Sequence, residues 1–462
     1  MTAHPEHPSG EDLRLRIEGP AAGGAFIART EGRVVFVSDA LPGELVRART
    51  VPGPGKVLRA EVTEVLEPSP HRVPDRRAGL LAEAVDPSGR AAEESAGDVL
   101  FGGMEYAHVD LAHSRELKAR VIADQLERIG GIEREVSVAA APGETTGMDW
   151  RTRVQLAVGP DGALGMLRAR SHDVVAVSSA PLAVDPIAEV DLRSLRLRGA
   201  DRVEFASAGE SGAVIVRGAV EAAALEDFAA RLPADWSLLT GSSAPARSTA
   251  RRGGDRGRGR GRRHRVARRG GNEYRGLRVV RGQDSLLETV GGRDFRVSAD
   301  GFWQVHRAAP GLLSSAVTAA LPSDVRTITD LYCGVGLLGI GAAAATGASL
   351  YGVEGVGPAI EHARANAVGI DAEFAAGRVD AVPVPASDVV LLDPPRAGAG
   401  PAVTERLIDE GPETIVYVSC DAGTLARDLA ALTAGGYGIE SLEGLDLFPL
   451  TAHVETVTVL RR

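Results

Sequence analysis

Cysteine is nearly absent: the 462 residues contain two, Cys333 and Cys420. Two thiols cannot build a disulfide framework, and they fit a chain kept in a reducing cytoplasm. Lysine occurs only at Lys56 and Lys118, so the basic residues are almost all arginine, a bias that accompanies abundant Ala and Gly and reads as genomic base composition. No apolar run approaches the roughly 20 residues a membrane span needs. The first ten residues are polar, with His and Pro, unlike a signal or transit peptide. What is present is ordinary for a globular protein, with 44% hydrophobic and 25% charged residues. The length allows two to four domains, each with its own core.

A net charge of -10, taken whole, argues against a nucleic-acid partner. The average hides a tract from Arg247 to Arg269 with eleven arginines against the single acid Asp255, a local +10 that leaves about -20 elsewhere. Its Gly-Arg alternation, as in Arg256-Gly257-Arg258-Gly259-Arg260, cannot build a core and is expected to be a disordered loop spanning 245–270. Such tracts bind RNA through phosphates and guanidinium stacking; the plainer alternative is an insertion without a specific role.

Three regions follow from the patterning. Residues 1–70 hold short alternating strands around Leu13–Ile17, Arg33–Val37, Leu45–Arg49 and Val57–Leu66, broken by Gly23-Gly24 and Leu41-Pro42-Gly43-Glu44, which predicts a small OB-like barrel. Its exposed arginines suit RNA. Residues 71–275 read as a mixed α+β region, with a helix over His113–Ile129 that stops at Gly130-Gly131. Residues 276–462 alternate strand and helix patterns, the signature of a doubly wound parallel sheet, so the fold class is α/β.

Motifs cluster in that last region. Thr327–Leu331 runs as a strand into Tyr332-Cys333-Gly334-Val335-Gly336 and an apolar helix, where glycines permit a tight turn and close backbone approach to a ligand. A second strand, Ser349–Val353, ends in Glu354, about 20 residues beyond Gly334, the place of an acid that holds a ribose. The pattern fits a nucleotide-like cofactor without separating a dinucleotide from S-adenosylmethionine. Val389–Leu392 leads into Asp393-Pro394-Pro395-Arg396, a rigid turn at a strand's carboxyl end, where doubly wound sheets bind ligands. Cys420 closes the apolar strand Ile415–Ser419 and precedes Asp421, a helix-capping residue type, so its thiol pKa is expected to fall; a small buried hydrophobe is the bland alternative. Glu455 interrupts an apolar context, so burial can raise its pKa to a value useful for proton abstraction, and His453 is a second candidate.

Together these pieces resemble the RNA 5-methyluridine methyltransferase family over nearly the whole chain. Residues 11–66 look like its TRAM domain, and Phe302-Trp303-Gln304-Val305-His306 is similar to the segment whose glutamine contacts the cofactor. Tyr417–Cys420 with Thr424–Asp428 resembles its nucleophile motif, and His453-Val454-Glu455 its base motif. The resemblance implies a Rossmann-like methyltransferase domain using S-adenosylmethionine to methylate C5 of a uridine in rRNA or tRNA. By the same resemblance Cys420 is the nucleophile and Glu455 the proton acceptor. Asp393 orients both uracil and donor, while Gln304, Tyr332, Gly334, Gly336 and Glu354 hold the cofactor. The target base must leave its stack. Cys333, inside the cofactor turn, is the weaker rival nucleophile.

Two departures stand out. Where the family often carries iron–sulfur cysteines, this chain has Phe101-Gly102-Gly103-Met104, Asp75 and Ala180, so no metal cluster is expected. The arginine tract is the other. Competing readings are RNA cytosine-C5 methylation, a non-catalytic RNA-binding protein, and a small-molecule or protein methyltransferase. The default expectation is a cytoplasmic monomer with RNA as partner and no membrane association.

Overall fold

The computed structural model describes residues 10–52, 57–81, 101–168, 171–242 and 276–462; the arginine tract and the expected loop around it lie outside the described residues. Five strands, Asp12–Pro20, Phe26–Thr30, Arg33–Ser38, Leu45–Val51 and Leu58–Glu67, close into a barrel. Period-2 patterning turns Leu15, Ile17, Val35, Val37, Val46 and Ala48 inward to fill it. The turn residue Glu44 is fully buried, accepts the Leu41 amide at 2.8 Å, and receives Arg72 from the segment leaving the barrel. On the outer wall four exposed arginines, Arg16, Arg29, Arg47 and Arg49, pair with Glu67, Glu18, Glu64 and Asp12. The barrel is as expected, and neighbouring strands supply an acid to each of these four arginines.

The middle of the chain forms a seven-stranded sheet in the order Arg278–Arg281, Trp236–Gly241, Ser211–Gly218, Ala200–Ala208, Arg153–Val158, Leu164–Leu167 and Val174–Ala176. Its core takes in Phe101, Met104 and Ala180, three of the positions where cluster cysteines were looked for. The fourth, Asp75, sits with Asp39 and His108, but Arg77 bonds both carboxylates.

The third sheet has eight strands in the order Ala372–Ala376, Ser349–Glu354, Thr327–Leu331, Val389–Leu392, Thr414–Ser419, Glu455–Arg461, Gly438–Asp446 and Val138–Ala140. The first five are mutually parallel, and the hairpin of the terminal two strands joins them antiparallel. This is the doubly wound sheet that strand–helix alternation implied.

The barrel closes before residue 70, while two short strands pair outside the stretches of chain they were assigned to. Strand Val138–Ala140 extends the C-terminal sheet, and Arg278–Arg281 edges the middle one. Helix Leu111–Gly130, capped by Asp110 and closed by Gly131 in the left-handed region, lays Ile122 and Leu126 against Leu425 and Ala426 of helix Ala422–Ala434. Lys118 on that helix is wholly buried and donates to Asp446 Oδ1 at 2.5 Å and to the Phe448 carbonyl at 3.0 Å. Removing the carboxylate with Asp446→Ala strands the ammonium and should cost about 3–5 kcal/mol in chemical unfolding. A loss near zero would show that Lys118 finds water.

Candidate active site

The glycine turn is built by backbone strain accepted for a purpose. Tyr332 stands at φ 70, unusual for a side chain of its size, while its amide and that of Cys333 both bond the Val353 carbonyl (2.9 and 3.1 Å). Gly334 and Gly336 follow at φ 56 and 91, and a Cβ on Gly336 would lie 2.4 Å from Ile340. The turn opens helix Leu337–Thr346, whose first amides face the end of the sheet. Glu354 leaves the neighbouring strand, accepts the Gly334 amide at 3.2 Å through one oxygen, and takes the Val356 amide at 2.8 Å through the other. Cys333 points away into packing: it is buried, it lies against Gly352, and burial pushes its thiol far up.

Cys420 and Glu455 meet through sheet register. Ser419 pairs with Thr456 across the antiparallel ladder, and Thr456 Oγ1 donates to the Ser419 carbonyl at 3.0 Å. Continued by one residue, the register sets Cys420 opposite Glu455. Asp393 follows the adjacent parallel strand and accepts a long 3.4 Å bond from Gln304 Nε2. The Gln304 loop is held by Arg153, whose Nη1 donates to the carbonyls of Ala299 and Gly301 at 3.1 and 3.0 Å. Arg396 reaches over from the same turn as Asp393 and donates from Nη2 to His453 Nε2 at 3.1 Å. Burial and Arg396 keep that imidazole below its usual pKa, matching its acceptor role.

The electrostatics are those of a buried, acid-rich cluster. Burial raises Asp393 to about 7. Glu455 lies well above the usual carboxyl range through burial, with Asp393 adding and Arg396 opposing. Cys420 is pushed up to about 12 by burial first and by Glu455 next, with Asp393 and Asp421 contributing and Arg396 pulling back. The expected fall in the thiol pKa is thus reversed: two neighbouring carboxyls and desolvation outweigh one guanidinium and a helix start. Alkylation of Cys420 by iodoacetamide should therefore keep climbing about tenfold per pH unit to at least about pH 10. Site-specific mass spectrometry reads this directly, and a plateau near pH 8 would refute the acid-flanked thiol.

Patterning alone passed over several residues. Asp330 is wholly buried behind the glycine turn; one oxygen accepts the Gly339 amide at 2.9 Å and the other has no partner. Burial raises it to about 7, with Asp393 and Glu354 contributing. An acid inside the apolar strand Thr327–Leu331 was the available signal. Arg396 and Asp428 were visible only as motif letters.

Strand carboxyl ends bearing a glycine turn and a following acid, on a doubly wound sheet, are the arrangement of a Rossmann-like methyltransferase. Sequence comparison agrees. The tRNA (Uracil-5-)-methyltransferase family profile matches residues 382–462, and the TRAM domain profile matches residues 9–69. A Streptomyces avermitilis protein described as an uncharacterized RNA methyltransferase is 35% identical, covering 98% of both chains. A Streptomyces coelicolor protein of the same description is 33% identical, covering 98% of this chain and 93% of that one. The chain belongs to the RNA (uracil-5-)-methyltransferase family. Its fold is shared with the Pyrococcus abyssi tRNA (uracil-54, C5)-methyltransferase solved with S-adenosyl-L-homocysteine, at 23% identity and TM-score 0.69, covering 97% of this chain and 100% of that one.

Proposed function

We propose that this chain transfers a methyl group from S-adenosylmethionine to C5 of a uridine in structured RNA, through a covalent bond between Cys420 and C6. The observation that carries the reading is the meeting of Cys420, Glu455 and Asp393 at one sheet end beside the glycine turn. The residues present fit the donor. Gln304, Tyr332, Gly334, Gly336 and Glu354 would hold it, and the unpartnered Asp330 oxygen is an acceptor suited to an ammonium group. When bound, the donor supplies an electrophilic methyl on a sulfonium.

The protein's part is to make C5 attack. Cys420 loses its proton and adds to C6, forming the S–C6 bond and moving the C5=C6 electron pair onto C5 and O4. C5 then takes the methyl as the bond from methyl to sulfonium breaks. Glu455 removes the remaining C5 proton, the double bond re-forms, and Cys420 leaves as thiolate. A carboxylate with a raised pKa is the stronger base once ionised, so the burial that raises Glu455 also equips it for this step. Asp393, close to both groups, orients the uracil edge. Both Cys420 and Glu455 must lose protons, so activity rises with pH across the neutral to alkaline range.

The test is incubation of the protein with labelled donor and total RNA from a strain lacking it, followed by nucleoside mass spectrometry. Labelled 5-methyluridine supports the reading; 5-methylcytidine, or no labelled nucleoside, overturns it.

A further inference from the structure

The turn that carries Asp393 and Arg396 is fastened at almost every residue to the helix that follows Cys420. Thr424 Oγ1 lies 3.2 Å from the Arg396 carbonyl and 3.1 Å from Asp421 Oδ1, so its one proton ties the helix start to the turn or to Asp421, and Arg427 Nη2 donates to the Ala397 carbonyl at 2.9 Å. The amides of Ala399 and Gly400 converge on Asp428 Oδ2, at 2.8 and 3.3 Å. Tyr417 donates its hydroxyl to the same oxygen at 2.8 Å and also receives the Ala399 amide at 3.0 Å. Asp428 is buried, and its other oxygen accepts Arg427 Nε at 2.9 Å, so both sides of the carboxylate are spent on this one task. Packing repeats the message independently. Gly398 stands at φ 73, and a Cβ there would lie 2.6 Å from both Arg427 and Asp428 and 3.0 Å from Thr424.

We infer that Asp428, through Tyr417 and the backbone of residues 396–400, is a positioning residue that fixes where Arg396 stands relative to Cys420. This rests on the nucleophile reading above, and it gives the stretch Thr424–Asp428 a task. Asp428 sits two helical turns beyond Cys420, so it never touches the reacting atoms. What it sets is the distance between a turn and a helix start that come from different strands. A carboxylate suits the job because both of its oxygens accept and its charge strengthens each bond, whereas an amide would turn an NH2 donor toward either Arg427 or the turn. The groups facing the Cys420 sulfur are Glu455 from the terminal strand, Asp393 and Arg396 from the turn, and Asp421 beside it. Arg396 is the only cation among them, so a shift of the turn weakens the one charge that favours thiolate.

The test uses the full-length protein in three variants: Asp428→Asn, which keeps size, Thr424→Val, which removes one hydroxyl, and Thr424→Ser, which restores it. The first readout is the rate of Cys420 alkylation against pH, which needs neither RNA nor methyl donor. Asp428→Asn should lower the rate at about pH 9 some three- to tenfold, as expected for partial loss of a neighbouring cation. Thr424→Val should shift it less, and Thr424→Ser should match the unaltered protein. In methyl transfer, kcat should fall about ten- to a hundredfold, with KM for the donor within about twofold. Unchanged alkylation profiles in both Asp428→Asn and Thr424→Val would overturn the inference, whatever kcat does. If Asp428→Asn unfolds, Thr424→Val and its serine rescue decide alone. A shifted profile with no uridine methylation by the unaltered protein would keep the positioning role and sink the proposed reaction instead.

Discussion

Cys420→Ala should reduce methyl transfer by at least about 10⁴-fold, because a lost nucleophile in a concerted site removes nearly all catalysis. C5 of uracil holds little electron density, so transfer depends on a nucleophile adding to C6. Cys333 cannot replace it, since that thiol is buried against Gly352 with its pKa far raised. RNA affinity should change little, for the sulfur is one contact among many. The measurement pairs initial rates with a denaturing gel of protein and 5-fluorouridine-substituted RNA. The unaltered protein should show a covalent band and the variant none. A Cys420→Ala protein with undiminished transfer would end the covalent scheme and reopen Cys333 and non-covalent routes.

Glu455→Gln should act later and leave a different trace. The first bond to C6 and methyl transfer remain possible, but the C5 proton has no acceptor, so the methylated RNA stays on Cys420. Turnover should drop about 10²–10⁴-fold while a labelled covalent complex accumulates, the range expected when a general base is removed. Glutamine matches the neutral carboxyl that burial favours at this position, so folding should be intact. Unaltered turnover would disqualify Glu455 as the base. Lost turnover without a labelled complex would move the requirement to a step before methyl transfer. The same substitution also removes one carboxyl that raises the Cys420 pKa, so alkylation of the thiol should begin at lower pH.

Much of this site was legible because its residues sit at strand ends in apolar runs. The glycine turn, Glu354, Asp393 and Cys420 stand where an apolar strand ends, and a parallel sheet gathers those ends along one edge, while Glu455 opens the antiparallel strand beside them. The barrel was legible through period-2 patterning broken by Gly23-Gly24 and Leu41–Glu44. Burial and charge at the site were not. The rise in the Cys420 pKa comes from Glu455 and Asp393, which lie on other strands, and pairing register is invisible in the chain. Long-range packing likewise moved segment 111–140 onto the C-terminal sheet, since amphipathicity says that Ile122 and Leu126 are buried but not against what. Strands Ala200–Ala208 and Ser211–Gly218, the centre of the middle sheet, were passed over because their apolar residues are interrupted by charges such as Arg202, Glu204 and Arg217 that fold into ion pairs.

The acid partners of Arg16, Arg29, Arg47 and Arg49 bear on how a polyanion meets the barrel. A phosphate gains affinity chiefly by letting condensed counterions escape as free cationic groups replace them. Guanidinium groups already matched by carboxylates offer little such replacement. Contact along this wall would therefore depend on shape and hydrogen bonding, and it would persist at ionic strengths that strip a polycation from its duplex.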